Sequence, residues 1–329
     1  MELIITMMMY INNWVLTFKY SLKRLIKNIL SVFAKAFSIA GILFTVAEVA
    51  DKVFEYHGLF KVYKDNYWII LIILFIISIY KHWDSLIFKI YIAGSSDVSI
   101  TLKVGDALSN EGAIIIPTNT TFDTCMKDDF ISKSSVQGQY QIKFFKDNLE
   151  KLDELINDGL KGRTSSQIKD GRNTKLEKYP IGEVSKVTWS KKRAYFLADS
   201  NINERGIPQD VTISDLTDAL VALWETLNIL GNMETYSIPL LGTGKAGVKD
   251  ASRDDVVKLI ALTFLAATKE HKITENLIIC IHPLDFEKIH WDDLCEFLKY
   301  HCQFVNSRPI QNNKSGEIEV TPKVVALKR

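Results

Sequence analysis

The chain has 329 residues, long enough for one large domain or two smaller ones, and 47% of them are hydrophobic. Lys and Arg number 40 and Asp and Glu number 39, so the formal net charge of +1 excludes the basic excess that nucleic-acid-binding domains usually carry. With 16 glycines and 7 prolines, the composition also excludes collagen-like and low-complexity chains. The mean hydropathy of +0.05 is slightly high for a soluble protein, and the apolar excess lies before residue 93.

Two apolar segments near the N-terminus predict a transmembrane hairpin. Residues 29–50 are mostly apolar and long enough to span a bilayer, with Lys35 and Glu48 as their charged side chains. Residues 67–83 contain the apolar run 68–80, which Ser78 alone interrupts, and aromatic residues at both ends suit the membrane interface. The alternative for this second segment is a buried helix of a soluble core, which the lack of an amphipathic stripe disfavours.

The Lys and Arg residues that flank these segments favour a topology with both ends in the cytoplasm. Four of them lie between residues 19 and 27, and Lys81 and Lys89 follow the second segment. Residues 3–30 combine an apolar face with these cations, a pattern typical of a helix that lies along the membrane surface. We interpret Lys35 as a snorkelling anchor, and a functional charge within the span is the alternative. The membrane domain is therefore predicted over residues 1–93.

The four cysteines, Cys125, Cys280, Cys295 and Cys302, have no CxxC spacing and predict no metal site. Reduced thiols are the expectation, and Cys280 is expected to be buried in an apolar strand. A zinc site that combines Cys295, Cys302 and the nearby His301 is the minor alternative.

Beyond residue 93 the sequence alternates short apolar strands with amphipathic helices. Strand patterns lie at 99–104, 112–116, 182–188, 195–198, 236–241 and 277–281, and helical patterns lie at 134–160, from 214 onward, at 250–270 and at 283–300. Such alternation predicts an α/β domain with a mixed central sheet and helices on both faces. The domain is expected over residues 94–304, followed by a polar, flexible tail at 305–329.

Two loops of this domain carry the residues from which a binding site can be predicted. Asp106, in a Gly-Asp pair, follows an early strand, and Asn119 ends the next strand. The segment 238–247 reads IPLLGTGKAG and lies between a strand and a helix, where glycines let backbone N–H groups converge on an anion. It is not a P-loop, because Lys245 is followed by Ala246, and it comes too late in the chain for a dinucleotide fingerprint. A plain turn is the alternative.

Together these loops resemble those of the macro domain, an α/β module that binds ADP-ribose. The resemblance covers residues 97–303, and the PLLGTGKAG segment is its most specific part. It implies that Asp106 accepts a hydrogen bond from the adenine amino group, that Asn119 bonds the distal ribose, and that residues 242–247 wrap the phosphates. The alternative role of Asp106 is to cap a turn, and the alternative role of Asn119 is to tie down its loop. The ligand-binding residues that the resemblance implies are Asp106, Asn119, Ser135, Val136, Gln137, Leu241, Gly242, Thr243, Gly244, Lys245, Ala246 and Gly247.

One departure from the macro-domain pattern bears on catalysis. Many macro-domain hydrolases carry a glycine triplet after the asparagine, whereas residues 120–138 of this chain read TTFDTCMKDDFISKSSVQG. The sequence therefore predicts binding without hydrolysis, with no catalytic residues, no cofactor and no metal. Asp123, Asp128 and Asp129 in this segment are candidates for an acid or base, or for recognition of a cationic group on the ligand.

A membrane hairpin followed by a divergent macro domain resembles the membrane effectors of type II Thoeris anti-phage defence. In that family, a Toll/interleukin-receptor-like enzyme consumes NAD and makes an ADP-ribose derivative that carries histidine. The resemblance implies a multi-pass sensor-effector of the bacterial inner membrane with its macro domain in the cytoplasm. Binding of the signal is expected to drive homo-oligomerisation and disruption of the membrane lipids, leading to abortive infection. The alternatives are a membrane-anchored ADP-ribosyl hydrolase and an anchored scaffold with a vestigial cleft.

Overall fold

Four helices precede a mixed α/β unit in the computed structural model of the chain, which describes residues 2–55, 57–83, 86–127, 130–146, 148–168, 175–190, 192–203, 209–242, 248–249 and 251–305. Its helices are α1 (Glu2–Lys27), α2 (Ile29–Phe54), α3 (His57–Asp65), α4 (Tyr67–His82), α5 (Val136–Phe144), α6 (Leu149–Gly159), α7 (Ile213–Leu230), α8 (Arg253–Glu270) and α9 (Trp291–Tyr300). Its strands are β1 (Ile87–Ile92), β2 (Ser95–Val104), β3 (Ala113–Asn119), β4 (Ser166–Gln167), β5 (Glu177–Lys178), β6 (Val184–Trp189), β7 (Lys192–Ser200), β8 (Tyr236–Pro239) and β9 (Asn276–Ile281). Of the tail predicted at 305–329, residues 306–329 lie outside the described residues.

The two predicted spans correspond to α2 and α4. By length and composition, α2 is the one described helix that is long and apolar enough to cross a membrane, and its large side chains are mostly exposed, as Leu30 and Phe37 illustrate. At 16 residues α4 is apolar but shorter than the roughly 20 residues that a span needs. The structure therefore supports one candidate span near the N-terminus, and a second span stays a prediction.

α2 packs against α3 and α4 through small and hydroxyl-bearing residues. Ala36 and Ala40 are buried on α2, and their small side chains let neighbouring helices approach closely. Ser78 donates a hydrogen bond from Oγ to the carbonyl oxygen of Val32 at 3.0 Å, and Tyr63 donates its hydroxyl to the carbonyl oxygen of Ala40 at 2.8 Å. These bonds satisfy polar groups that an apolar environment would otherwise leave without partners.

The α/β unit is built on a seven-stranded sheet in the order β1-β2-β9-β8-β3-β7-β6. β2, β9, β8, β3 and β7 run parallel, and β1 and β6 pair antiparallel at the two edges. The carboxyl ends of the parallel strands therefore meet at one edge of the sheet. β1 lies before the boundary predicted at residue 94, and because it pairs with β2 along its length, the α/β unit begins earlier than the sequence predicts.

Helices cover both faces of the sheet. One hydrophobic core lies under α7, α8 and α9 and includes Trp224, Phe264 and Leu298. A second core lies on the opposite face, under α5 and α6, and includes Tyr140 and Leu152. The two faces are distinct because alternate residues of β3 enter the two cores. The mixed sheet with helices on both faces confirms the predicted fold class.

Two segments that the hydrophobic pattern predicts as continuous helices are interrupted. The segment 134–160 forms α5 and α6, because Lys146 adopts a φ of 40° and Asn148 caps α6 through its side chain. Periodicity misses this break because both helices pack on the same core. The segment 283–300 forms a 3-10 turn, Pro283–Lys288, and then α9.

Candidate ligand-binding site

The strand ends that carry the predicted site residues lie at one edge of the sheet. Asp106 follows β2, Asn119 ends β3, and Leu241 and Gly242 follow β8. β9, which ends at Ile281, lies between β2 and β8. Ligands of open α/β sheets bind in the crevice outside the carboxyl ends of the strands. The topology thus brings the two predicted loops to a single candidate site.

Asp106 caps the 3-10 turn Ala107–Ser109. Its Oδ1 accepts a hydrogen bond from the backbone N–H of Leu108 at 2.9 Å, and the residue is half-buried. The preceding Gly105 donates its backbone N–H to the carbonyl oxygen of Ile281 at 2.9 Å, which ties the end of β2 to β9. Asp106 therefore caps a turn, as the alternative to a ligand contact predicted. Its contact with adenine stays a prediction.

His282 follows β9 and borders Asp106. Its Nδ1 accepts a hydrogen bond from the backbone N–H of Leu284 at 3.3 Å, so the imidazole caps the 3-10 turn that begins at Pro283. Burial lowers the pKa of His282, and the negative charges of Asp285 and Asp106 oppose this shift. The imidazole at this side of the site is therefore neutral at pH 7.

The Asn119 side chain is buried, and its polar atoms bond within its own loop. Nδ2 donates to Oδ2 of Asp123 at 2.9 Å, and Oδ1 accepts from the backbone N–H groups of Thr121 and Asp123, each at 3.2 Å. These three bonds fix the backbone that leaves β3. Asn119 therefore ties down its loop, and its contact with a distal ribose stays a prediction.

Asp123 is the centre of a buried polar cluster in the segment that replaces the glycine triplet. Besides the Asn119 amide, its carboxylate accepts hydrogen bonds from Thr121 Oγ1 and, at 2.7 Å, from the backbone N–H of Lys175. Burial raises the pKa of Asp123, and these bonds together with the Lys175 charge partly offset the rise. This bonding gives Asp123 a role in holding the segment in place. The other two carboxylate candidates, Asp128 and Asp129, lie outside the described residues.

The three predicted residues at the start of α5 have separate environments. Ser135 is the N-cap, and its Oγ accepts a hydrogen bond from the backbone N–H of Gly138 at 3.0 Å. Val136 begins the helix and packs against the core under α5 and α6. Gln137 is buried and donates Nε2 to the carbonyl oxygen of Asp123 at 2.6 Å. These contacts join the start of α5 to the Asp123 loop, and contact with phosphate stays a prediction.

The glycine-rich loop begins at a position that only glycine fits. Leu241 is fully buried, and Gly242 adopts a φ of +61°. A Cβ on Gly242 would lie 2.1 Å from Cγ2 of Val248, and the Gly242 carbonyl oxygen accepts the backbone N–H of Val248 at 3.2 Å. The two ends of the loop are therefore held together. The remaining predicted residues, Thr243, Gly244, Lys245, Ala246 and Gly247, lie outside the described residues.

Asp199, which the sequence patterns do not single out, is a further acidic residue at this edge of the sheet. It is close to the end of β7 and is 4% exposed. Burial raises the pKa of Asp199 to about 7, and the backbone of Gly242 partly offsets this rise. The signal that could have found it is an acidic residue directly after the apolar strand residues 194–198.

The macro-domain family model of the Thoeris protein ThsA matches residues 100–282, which is more than half of the chain. The matched range contains Asp106, Asn119 and Gly242, and so it includes both loops of the candidate site. The chain belongs to the Thoeris ThsA macro domain family. Helices α1 to α4 lie outside the matched range.

A relative of known sequence carries the same family name, and the chain is also similar in part to two solved macrodomain structures. The Thoeris protein ThsA of Bacillus amyloliquefaciens (strain Y2) is 23% identical over 206 residues, which cover 61% of this chain and 68% of that protein. The solved Oceanobacillus iheyensis macrodomain with MES bound has a TM-score of 0.42 and 14% identity, and the match covers 65% of this chain and 97% of that chain. A mutant of the same macrodomain has a TM-score of 0.44 at the same identity and coverage.

Family membership identifies the α/β unit as a macro domain of an anti-phage defence protein. Macro domains are ligand-binding or hydrolase modules, and the strand ends that carry Asp106, Asn119 and Gly242 are the candidate site of this module. The sequence-based resemblance to macro domains and to Thoeris proteins is thereby confirmed.

Proposed function

We propose that this protein is a membrane-anchored sensor-effector of anti-phage defence. Its macro domain binds an ADP-ribose-derived signal of the histidine-ADP-ribose class, and binding drives homo-oligomerisation and a membrane disruption that leads to abortive infection. The observation that carries the proposal is the family match over residues 100–282, which spans both loops at one edge of the sheet. The signal is the only small molecule that the proposal requires.

The glycine-rich loop suits the diphosphate of such a ligand. Glycines present backbone N–H groups without side-chain obstruction, and the dipole of a following helix favours an anion. A cradle of backbone groups needs no excess of basic side chains, in agreement with the formal net charge of +1. At the other side of the site, the second carboxylate oxygen of Asp106 accepts no hydrogen bond from the described residues, which leaves it for an amino group of the ligand.

The proposed anchor is α2, with α4 as the second, shorter span of a hairpin. Exposed apolar side chains line α2, and Trp68 and Tyr80 are exposed near the two ends of α4, where the membrane interface favours aromatic residues. Lys and Arg residues of α1 precede α2, which agrees with both ends of the hairpin in the cytoplasm of a bacterial inner membrane. Membrane lipids are therefore proposed partners.

α1 connects the proposed anchor to the macro domain. The ring of Tyr20 lies 5.1 Å from that of Phe286, and Tyr20 is buried. Arg24 forms a forked ion pair with Asp292, with nitrogen–oxygen distances of 2.5 and 3.2 Å. Only Asn28 separates α1 from α2. The helix that rests on the macro domain therefore leads directly into the proposed anchor.

The surface under α1 also contacts the residues that follow the glycine-rich loop. The turn Pro283–Lys288, on which α1 rests, directly follows the cleft end of β9. In this turn Asp285 accepts a hydrogen bond from Nε of Arg253 at 3.4 Å, and beyond it Nδ1 of His290 lies 2.6 Å from Oδ2 of Asp254. Arg253 and Asp254 are the first residues of α8. A shift of the loop on ligand binding would reach α1 through these packed side chains.

The signal can drive assembly only if the assembled form binds it more tightly than the resting form does. An NAD-consuming Toll/interleukin-receptor-like protein is the proposed producer of the signal. Its activity during infection would raise the signal concentration and shift the population toward the assembled form.

Titration of the full chain in lipid nanodiscs tests the binding step. Calorimetry with histidine-conjugated ADP-ribose is expected to give a saturable heat, and free histidine is expected to give none. Chromatography of the same mixture measures turnover, and release of free ADP-ribose would identify the hydrolase alternative. A chain that gives no heat with either ADP-ribose or its histidine conjugate would contradict the proposal.

Two glycine variants test whether binding drives the membrane response. Gly242→Glu places a carboxylate beside the proposed diphosphate, and Gly162→Glu is its control, because Gly162 also has a positive φ but has open space around a Cβ. Dye release from liposomes and sedimentation in detergent measure disruption and assembly. The control is expected to respond to the signal like wild type, and Gly242→Glu is expected to lose both responses. Full dye release by Gly242→Glu would favour the scaffold alternative.

A further inference from the structure

One face of α1 rests on the macro domain. Leu16, Tyr20 and Arg24 follow one another at intervals of four residues, so they share a face of the helix. Tyr20 belongs to the hydrophobic core under α7, α8 and α9, and Leu16 packs against that core. Arg24 continues the same face with its ion pair to Asp292. This inner face of α1 is therefore occupied within the chain.

A second set of α1 residues, centred two positions along from the first, points the other way. Each residue advances by about 100° around an α-helix, so an offset of two positions turns a side chain by about 200°. Every described residue of this set is apolar and exposed, and Trp14 and Ile26 leave 67% and 60% of their surface uncovered. The residues of this outer face are Ile11, Trp14, Val15, Phe18, Leu22 and Ile26.

The outer face meets the end of α4, where the proposed hairpin leaves the membrane. Trp83 is the C-cap of α4 and follows its apolar run. The ring of Trp83 lies 5.3 Å from that of Phe18, and the ring of Phe18 lies 5.6 Å from that of Trp14. Trp14 and Trp83 are both exposed. Exposed tryptophans beside the end of a span are typical of the membrane–water interface.

The surroundings of the outer face favour a lipid surface over a second copy of the chain. Only Asn28 separates α1 from α2, and Leu30 at the start of α2 is exposed, so the apolar surface continues into the proposed anchor. Lys19 and Lys27 are exposed on α1, and anionic headgroups attract cations on an amphipathic helix. A second copy of α1 on the same face would instead bring like charges together.

We propose that the outer face of α1 and Trp83 form a lipid-contacting surface that holds the macro domain against an anionic membrane. The bilayer covers the outer face and the macro domain covers the inner one, so α1 lies between them. The amphipathic pattern of residues 3–30 does not say where the macro domain lies, whereas the two opposite faces of α1 do. This inference rests on the proposed function, because it takes α2 and α4 as the membrane anchor.

Quenching of tryptophan fluorescence by brominated lipids tests the contact. The full chain is reconstituted in liposomes of phosphatidylcholine and phosphatidylglycerol whose acyl chains carry bromine at a shallow or at a deep position. The emission lost in Trp14→Phe gives the contribution of Trp14, which is expected to be quenched about twofold by the shallow lipids and less by the deep ones. Trp224→Phe is the control, because Trp224 is buried in the macro-domain core and its contribution is expected to stay unquenched.

A charged substitution tests whether the outer face itself makes the contact. Leu22→Glu places a carboxylate on this face and is expected to reduce the quenching of Trp14 by about half. Leu262→Glu on α8 is the matched control, because Leu22 and Leu262 are 38% and 40% exposed, and it is expected to leave the quenching unchanged. Equal quenching of Trp14 in wild type and in Leu22→Glu would overturn the inference.

Trp68, at the start of α4, separates a failure of this inference from a failure of the anchor. It is exposed, and the emission lost in Trp68→Phe reports whether α4 contacts lipid. If Trp68 is quenched and Trp14 is not, the inference is wrong and the anchor stands, and a crosslink between the outer faces of two copies would identify the second copy as the occupant. If Trp68 is unquenched and the chain does not float with the liposomes, the proposed anchor fails instead.

Discussion

The buried carboxyl of Asp199 is expected to make the stability of the macro domain depend on pH. Its pKa rises from the ordinary 3.8 to about 7, because burial disfavours the charged form. Between these values the folded chain holds a proton that the unfolded chain has released. The contribution of this group to stability is therefore fully present below about pH 3.8 and is lost as the pH rises toward 7.

The magnitude follows from the size of this shift. Each pH unit in which the folded chain holds one more proton changes the free energy of unfolding by about 1.4 kcal/mol. Two such units lie between pH 5 and pH 7, and above that pH both states are ionised. Ionisation of Asp199 is therefore expected to lower the free energy of unfolding by about 3 kcal/mol between pH 5 and pH 8.

Asp199→Asn isolates this effect because an amide does not titrate. Urea unfolding of the full chain in detergent, followed by tryptophan fluorescence, gives the free energy of unfolding at pH 5 and pH 8. The variant is expected to gain about 3 kcal/mol relative to wild type between the two pH values. Asp158→Asn is the control, since the hydrogen bond and charge of Lys161 lower the pKa of Asp158, which does not titrate in this range. If the free energy of unfolding changes equally in wild type and in Asp199→Asn between pH 5 and pH 8, the predicted shift is wrong, because Asp199 would then be ionised throughout.

Three further substitutions test other parts of the structure. Gly242→Ala is expected to weaken ligand binding at least tenfold and to lower the unfolding temperature, whereas Gly162→Ala, with open space around its Cβ, is expected to keep wild-type affinity in calorimetry. Asp123→Ala leaves buried donors without an acceptor, and it is expected to lower the free energy of unfolding by about 3 kcal/mol in urea titrations. Arg24→Glu opposes Asp292 and is expected to expose α1 to limited proteolysis and to reduce signal-dependent dye release, with ligand affinity unchanged. Unchanged cleavage of α1 in that variant would contradict the docking argument.

The main features of the fold could be predicted because they depend on hydrophobic patterns. Apolar runs of strand length that alternate with amphipathic helices predict β2, β3, β7, β8 and β9 with helices between them. β1 was missed because its residues follow directly on the apolar segment 67–83, so the pattern gives no separate start for a strand. The break between α5 and α6 depends on the positive φ of Lys146, which the sequence pattern does not encode.

The positions of the site residues could be predicted more readily than their hydrogen bonds. Asp106 and Asn119 lie just beyond the strand patterns predicted at 99–104 and 112–116, and parallel strand ends meet at one edge of a sheet. Their partners depend on the turns that follow, and in each case the side chain bonds the backbone two residues onward, as short polar residues often do. Asp199 was missed because its direction depends on a bulge, which changes the alternation that a strand pattern assumes.

These local bonds indicate where the energy for the proposed switch comes from. The bonds of Asp106 and Asn119 within their own loops exist without a ligand, and contacts that favour the resting and assembled forms equally cannot shift a population between them. We expect the differential affinity to come from contacts of the ligand with the glycine-rich loop, and its effect to reach α1 through the first turn of α8, where Arg253 bonds Asp285. Substitutions at Gly242 are therefore expected to abolish binding and the membrane response together. Substitutions in α1 should abolish the membrane response and leave ligand affinity unchanged. A loss of ligand affinity in an α1 variant would show that α1 does not act only after the ligand has bound.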